Sequence, residues 1–142
     1  MGMNTETVIA VYSAFKTGDV PMILSKLSDN VDWMDFPTNT AAVAGIPWFV
    51  RRRGKAEVPK FFQSLAENLD FDDFTIGDVV ESGNHVAAQV HISATFRKSG
   101  AKLIQQDLHW WTFDPSGKIS AYRHYTDTGE VVSGWNQMAK AA

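Results

Sequence analysis

The fold follows from the stretch Asp107-Leu108-His109-Trp110-Trp111-Thr112-Phe113-Asp114-Pro115-Ser116-Gly117-Lys118-Ile119-Ser120-Ala121-Tyr122-Arg123-His124-Tyr125-Thr126-Asp127. A period of two places His109, Trp111 and Phe113 on one face of a first strand. The Asp-Pro-Ser-Gly segment predicts a tight turn, since proline fixes φ and glycine tolerates a positive φ. This stretch contains more aromatic and titratable side chains than strands of an ordinary hydrophobic core. The hairpin is therefore predicted to form one wall of a pocket.

Composition narrows the classes of function. The chain has 142 residues, a net charge of -3 and a pI near 5.7, which argues against nucleic acid as a partner. It contains no cysteine, so neither disulfides nor thiolate metal sites are available. Neither a membrane-spanning apolar stretch nor a signal peptide is evident, and we expect a cytoplasmic protein.

Hydrophobic periodicity changes once along the chain. Apolar residues at helical spacing predict helices at about 4–17, 19–27 and 57–68, and a last helix after Asp127. A short strand is predicted at 31–36, and strands with period two at 74–81, 85–97 and 102–113. Helices followed by an antiparallel meander predict an α+β domain over residues 1–142, with the helices on one face of the sheet. Residues 37–54 have no clear period and are predicted to be a pocket rim.

The order and spacing of five segments resemble a known superfamily. The segments are Phe15–Asp19, Val31–Asp35, Ile46–Trp48, Gly54 with the following helix, and Phe113–Asp127. Together they resemble the nuclear transport factor 2 superfamily, and within it the ketosteroid isomerase and SnoaL-like polyketide cyclase group. The resemblance implies a cone-shaped curved antiparallel sheet wrapped by N-terminal helices around an apolar cavity. It also implies a homodimer formed through an outer sheet face that would carry Trp110, Tyr122 and His124.

Residue by residue, the resemblance implies three catalytic positions. Asp35 falls where ketosteroid isomerases keep their general base, and His109 where they keep an acid that donates to the oxyanion. Asp127 falls where SnoaL-like cyclases and limonene epoxide hydrolase carry a catalytic aspartate. The isomerases' oxyanion tyrosine corresponds to Val11, and its neighbour Tyr12 is expected to point elsewhere. The epoxide hydrolases' arginine has no counterpart, because the corresponding positions hold Gln89 and His91.

Each of these positions also has a purely structural interpretation. Asp35 has the placement of a residue that ends a strand in a turn before Pro37. His109 has the placement of a core histidine bonded to a backbone carbonyl. Asp127 begins the sequence Asp-Thr-Gly-Glu, which has the spacing of a helix capping box. For Asp127 the two interpretations are equally supported.

Further residues complete the predicted site. Tyr125 is a candidate replacement for the missing phenolic donor, and Arg123 is expected to pair with a carboxylate such as Asp127. Residues predicted to bind the substrate at the cavity are Trp33, Trp48, Phe62, His91, Trp111 and Arg123. We expect no metal, because no short histidine spacing typical of zinc sites occurs, and we expect no cofactor.

Two functions remain open from the sequence. The first is an enzyme that uses acid–base chemistry on a small apolar molecule, with Asp35 as base and His109 at the enolate oxygen, assisted by Tyr125 or Asp127. Isomerase, cyclase and hydrolase types are all compatible with it. The alternative is a non-catalytic module that binds a hydrophobic metabolite, because this fold hosts both kinds of protein.

Overall fold

The computed structural model describes residues 2–34, 36 and 38–141, with side chains described as far as Gln137. Asp35, the predicted base, lies outside the described residues. The helices are α1 (Met3–Lys16), α2 (Val20–Ser25), α3 (Thr40–Val43), α4 (Val58–Asn68) and α5 (Thr128–Ala141). The strands are β1 (Leu27–Trp33), β2 (Arg52–Arg53), β3 (Leu69–Ser82), β4 (His85–Phe96), β5 (Lys102–Phe113) and β6 (Ile119–Tyr125).

The six strands form one curved, open sheet in the order β2-β1-β6-β5-β4-β3. The predicted meander is present, since β3, β4, β5 and β6 pair antiparallel in sequence order. The α+β fold is confirmed, but the sheet is mixed, because β1 runs parallel to β6. That pairing joins strands about ninety residues apart, which local periodicity does not reveal.

The turn between β5 and β6 is built by the residues that predicted it. The Asp114 carboxylate accepts hydrogen bonds from the backbone N–H of Ser116 at 2.9 Å and of Lys118 at 3.0 Å. Gly117 has φ +86°, a conformation that costs a residue without a side chain little. The hairpin thus holds β5 and β6 side by side.

Helices cover one face of the sheet. Helix α1 buries Val8, Val11 and Tyr12, and α4 buries Val58, Phe61 and Leu65 as its predicted stripe. The core lies between these helices and the inward side chains of β4 and β5. None of the described helices is long and apolar enough to cross a membrane.

The first two helices begin in different ways. Asp19 caps α2 by accepting a hydrogen bond from the Met22 N–H at 3.2 Å. Helix α1 begins after Gly2 without a side-chain cap, and Thr5 binds instead the Glu81 carboxylate of β3 through both N–H and Oγ1. A tertiary contact therefore replaces the local cap at the first helix.

The segment between β1 and α4 is more ordered than its sequence predicts. Asn39 caps α3 by accepting a hydrogen bond from the Ala42 N–H at 2.8 Å. A single 3₁₀ turn over Pro47–Phe49 then buries Trp48 and Phe49. This segment closes one side of the sheet, in agreement with its predicted place at a pocket rim.

The outer face of the sheet differs from the expected dimer surface. Trp110 is 36% exposed there, next to the exposed Leu108. Tyr122 is buried on the inner face, and His124 also faces inward, so neither belongs to an outer contact surface. Dimerisation itself stays a prediction.

Candidate active site

A central cavity of about 80 Å³ lies between the helices and the inner face of the sheet. One water molecule needs roughly 10–15 Å³ of such volume, so the cavity accommodates several water-sized groups. Phe15 of α1 and Phe61, Phe62 and Leu65 of α4 form much of its apolar wall. An apolar hollow with few polar groups is the usual form of a small-molecule site.

Strand β5 supplies the polar side of the cavity. Period-two alternation turns Gln105, Asp107, His109 and Trp111 inward, and all four are buried. Asp107 is only 4% exposed and was not singled out from the sequence, although it lies two residues before His109. The alternation was the signal that could have identified it.

Tyr12 joins this polar side from α1, contrary to the expectation that it points elsewhere. Its hydroxyl lies 2.8 Å from His109 Nδ1, and Trp111 Nε1–H donates to the same hydroxyl at 3.0 Å. Val11 also lines the cavity. Val11 and Tyr12 both face inward because the buried face of α1 is wide enough to include adjacent positions.

Asp107 is held by a histidine from the next strand. His124 Nε2–H donates to Asp107 Oδ2 at 2.7 Å, and the His124 ring stacks on Phe49 with centroids 5.3 Å apart. The other carboxylate oxygen, Oδ1, is buried and makes no hydrogen bond to any described residue. His109 Nε2 lies 4.0 Å from Asp107 Oδ2. We call Tyr12, Asp107, His109, Trp111 and His124 the polar cluster.

Burial and charge set the protonation of the polar cluster. Burial lowers the pKa of His109 to about 3, with His124 acting in the same direction and Asp107 opposing it. Burial acts to raise the pKa of Asp107, but the charge of His124 and the hydrogen bond from His124 outweigh this effect, so the pKa of Asp107 lies below its usual range. Burial also raises the pKa of Tyr12 above its ordinary value. Near neutral pH the cluster therefore holds an ionised carboxylate, a neutral His109 and a neutral phenol.

The cluster also contains a donor set that metals use. Asp107, His109 and His124 offer ligand atoms within 4.8 Å of one another. Two imidazoles and a carboxylate suit divalent transition metals. The 2.7 Å contact between His124 and Asp107 is a hydrogen bond in this structure. The arrangement described is therefore that of a hydrogen-bonded network.

Several predicted site residues border the cavity. His109 lies in its polar side, and Trp33, Trp48, Phe62 and Trp111 contribute to its walls. Trp33 packs edge-on against Phe61 at 5.4 Å and against Trp111 at 5.8 Å. These placements agree with the sequence analysis, which expected aromatic lining around a histidine.

Three other predicted residues lie on the opposite face of the sheet. Tyr125 pairs with Leu108 in register, Arg123 with Trp110, and His91 lies across from Gln106. These partners are the outward residues of β5, so the expectation that Tyr125, Arg123 and His91 face the cavity is wrong. Arg123 Nη1 donates to the Tyr125 hydroxyl at 3.2 Å, and its guanidinium lies 5.2 Å from the Phe36 ring centre.

Asp127 is exposed and sits at the start of α5. Its Oδ1 accepts a hydrogen bond from the Glu130 N–H at 3.3 Å, as a helix cap does. Its backbone carbonyl accepts a hydrogen bond from Gln105 Nε2 at 3.0 Å. Of the two interpretations open from the sequence, the geometry favours the cap.

Two arginines of the basic segment Arg51–Arg53 form defined contacts. Arg51 forms a two-pronged ion pair with the Asp32 carboxylate, which lowers the pKa of Asp32. Arg52 donates to the Pro47 carbonyl at 3.0 Å. These contacts fix the rim segment to β1 and lie away from the polar cluster.

The fold and its inner cavity define a protein of the nuclear transport factor 2-like class. The chain matches the SnoaL-like domain over residues 8–122, and it belongs to that family. No curated protein matches it in sequence.

Solved structures share the fold at low sequence identity. One is a nuclear transport factor 2-like protein of unknown function from Burkholderia pseudomallei, with 22% identity, 94% of this chain and 98% of that chain covered, and a TM-score of 0.81. Another is TerC co-crystallised with polyporic acid, with 20% identity, 95% and 99% covered, and a TM-score of 0.78. A third is a candidate polyketide cyclase from Pseudomonas putida, with 21% identity, 92% and 96% covered, and a TM-score of 0.69.

Proposed function

We propose that this protein is a cofactor-independent enzyme that transfers protons on a small, largely apolar carbonyl compound, as isomerases and cyclases do. The observation that carries the proposal is the pair formed by Asp107 and His109. A buried carboxylate and a neutral imidazole lie 4.0 Å apart at the wall of one apolar cavity. Proton abstraction next to a carbonyl needs both a base and a group that stabilises the oxygen.

Asp107 is the base in this proposal. Its Oδ2 is occupied by the hydrogen bond from His124, whereas Oδ1 accepts no hydrogen from any described residue. Oδ1 is therefore the carboxylate oxygen that remains to accept a proton from a substrate. His124 keeps the carboxylate ionised and oriented before the reaction.

His109 faces the substrate oxygen. A hydrogen bond in a cavity with apolar walls stabilises developing negative charge more than the same bond in water. The neutral imidazole does this without giving up its proton.

The reaction then has a defined proton and electron balance. Asp107 takes a proton from the carbon next to the carbonyl, and the C–H electron pair forms the C=C bond of an enolate whose oxygen carries the charge. Return of that proton to a different carbon gives an isomer. Attack of the enolate carbon on a second carbonyl in the same molecule forms a C–C bond and closes a ring, while the π electron pair of that carbonyl moves to its oxygen, which takes the proton back from Asp107.

Family and fold neighbours support a small-molecule substrate. The chain belongs to the SnoaL-like family, and similar folds include a candidate polyketide cyclase and TerC with polyporic acid. The cavity volume of about 80 Å³ favours a compact substrate of one ring. Asp35 stays a second candidate base on the strength of the sequence resemblance, so both aspartates enter the test.

The test uses 3-cyclohexen-1-one, a small ketone whose isomerisation gives a conjugated product that absorbs in the ultraviolet. Deuterium uptake from D₂O, followed by NMR, detects enolisation even without net isomerisation. We expect the wild-type protein to accelerate isomerisation or deuterium uptake. Asp107→Asn should lose this acceleration, and Asp35→Asn should retain it. Loss in Asp35→Asn alone would assign the base to Asp35 instead. Activity that a chelator removes would contradict cofactor independence.

Non-catalytic binding is the second candidate, favoured by the aromatic lining and the small volume of the cavity. Trp33, Trp48 and Trp111 border it, which suits retention of an apolar ligand. Saturable quenching of tryptophan fluorescence by the ketone, with deuterium uptake no faster than in buffer, would support this function and refute the enzymatic one.

A further inference from the structure

The position of one hydrogen decides what His109 does in the cavity. A neutral imidazole carries its proton on either Nδ1 or Nε2, and the other nitrogen is then an acceptor. His109 is buried, and its Nδ1 and Nε2 point at different neighbours. The neighbours therefore select the tautomer.

Trp111 begins the chain of hydrogen bonds that makes this selection. The indole N–H is a donor only, so the Tyr12 oxygen must be the acceptor in their 3.0 Å contact. Tyr12 then has one hydrogen of its own left to donate. His109 Nδ1, at 2.8 Å, is its only other polar contact among the described residues.

Two arrangements of the Tyr12–His109 contact are conceivable, and their costs differ. If the hydroxyl donates to Nδ1, the indole and phenol hydrogens both have acceptors, and the remaining hydrogen on Nε2 lies at the cavity wall with Asp107 Oδ2 4.0 Å away. If Nδ1–H donates to the hydroxyl instead, the buried Tyr12 hydrogen has no acceptor among the described residues. A buried donor without an acceptor loses its hydrogen bond to water and gains none in return, which disfavours the second arrangement.

Asp107 favours the same arrangement from the other side of the ring. Its Oδ2 lies 4.0 Å from His109 Nε2. A hydrogen on Nε2 directs positive charge towards the carboxylate, whereas a bare Nε2 directs a lone pair at it. The two sides of the imidazole therefore select the same tautomer.

We propose that Trp111 and Tyr12 fix His109 as its Nε2–H tautomer, so that the ring presents a neutral hydrogen-bond donor to a carbonyl or enolate oxygen in the cavity. The ligand-binding part rests on the proposed function, whereas the tautomer is a property of the free protein. Trp111 is a positioning residue in this arrangement, because it acts on the ligand through Tyr12 and His109.

NMR of protein labelled with ¹⁵N in histidine tests the tautomer without any ligand. In wild type we expect one form of His109, with a pyridine-type shift for Nδ1 and a pyrrole-type shift for Nε2. Trp111→Phe removes the indole N–H that occupies one side of the Tyr12 oxygen, so the hydroxyl hydrogen is no longer confined to the Nδ1 side and the second tautomer should gain population. Tyr12→Phe removes the hydroxyl, keeps the ring, and should also release Nδ1. Trp48→Phe is the matched control, since Trp48 borders the cavity without contacting Tyr12, and its spectrum should match wild type.

The outcomes separate this inference from the proposed function. A pyrrole-type Nδ1 in wild type would overturn the inference, and so would an unchanged His109 spectrum in both folded variants. A confirmed tautomer without ketone turnover would leave the inference standing and refute the enzyme. Ketone turnover by a protein with the opposite tautomer would support the enzyme and overturn the inference. Should Trp111→Phe fail to fold, Tyr12→Phe decides.

Discussion

Asp107 and His124 lie on neighbouring strands, with Oδ2 of the carboxylate 2.7 Å from Nε2 of the imidazole. The contact is buried beside the central cavity, where the pKa of Asp107 stays below its usual range despite the burial that acts to raise it. An ionised carboxylate is thus maintained next to apolar walls. A buried carboxylate of this kind either forms a structural pair with its partner, here His124, or takes part in catalysis.

Asp107→Asn separates these roles. Asparagine keeps an oxygen that accepts from His124 but cannot take a proton, so we expect ketone turnover to fall by about 10²–10⁴-fold. Asp70→Asn is the matched control, because Asp70 pairs with Arg97 on the exposed surface of β3 and should leave turnover unchanged. Urea unfolding of both variants checks that the fold persists. Full turnover in folded Asp107→Asn would remove this residue from the mechanism.

Asp127 is predicted to matter for stability and not for turnover. Its carboxylate caps α5, and removal of such a cap costs about 1 kcal/mol, so Asp127→Ala should lower the free energy of unfolding by that amount. Asp127→Ser keeps a capping oxygen and should retain most of the stability. Urea titrations give the stabilities, and both variants should turn over the ketone like wild type. A loss of turnover in both, at unchanged stability, would restore the catalytic interpretation of Asp127.

The inner face of β5 was predictable, because a single period of two runs through it. Asp107 obeys that period, but aspartate is usually exposed, and the hydrogen bond from His124 that accompanies its burial comes from the neighbouring strand. For Tyr12 the helical pattern was the better guide than the resemblance. Val8, Val11, Tyr12 and Phe15 recur at helical spacing, which places Tyr12 with Val11 on one apolar face, and both are buried in α1.

The inward face of β6 could not be derived from its own sequence. Alternation separates Tyr122 and His124 from Arg123 and Tyr125, but it does not say which pair faces the helices. The register shifts between Thr112 and Phe113, so counting residues through the turn does not transfer the face of β5 to β6. The face is defined only in the folded sheet, where β6 lies between β5 and β1.

The contact between α5 and β4 depends on a glycine. A methyl group at Gly134 would lie 2.2 Å from Cε2 of the fully buried Phe96 ring. Alanine improves helix propensity by about 1 kcal/mol, but overpacking a core costs about 1–3 kcal/mol, so Gly134→Ala should be net destabilising. Gly129→Ala on the same helix meets only the Asp127 carboxylate at 3.3 Å and should be neutral or slightly stabilising. Equal urea midpoints for the two variants would contradict this packing.

His109 should make the protein's stability depend on pH in a predictable direction. Its pKa is about 3 in the folded chain and about 6.5 when unfolded, so between these values only the unfolded state takes up the proton. The contribution is complete above pH 6.5 and is lost progressively as the pH falls towards 3. Between pH 8 and pH 5 the loss amounts to about 2 kcal/mol.

His109→Gln removes this titration and leaves the other groups in place. The free energy of unfolding, measured with urea at pH 8 and pH 5, should fall by about 2 kcal/mol more in wild type than in the variant. The lowered pKa of Asp107 acts in the same direction but further into acid, and both proteins share it. The comparison therefore uses the change in the free energy of unfolding between pH 8 and pH 5 in each protein. A general destabilisation by the substitution does not alter this change. An equal change in both proteins would mean that His109 takes up a proton in the folded state. It would then refute a neutral His109 as the hydrogen-bond donor at the cavity wall.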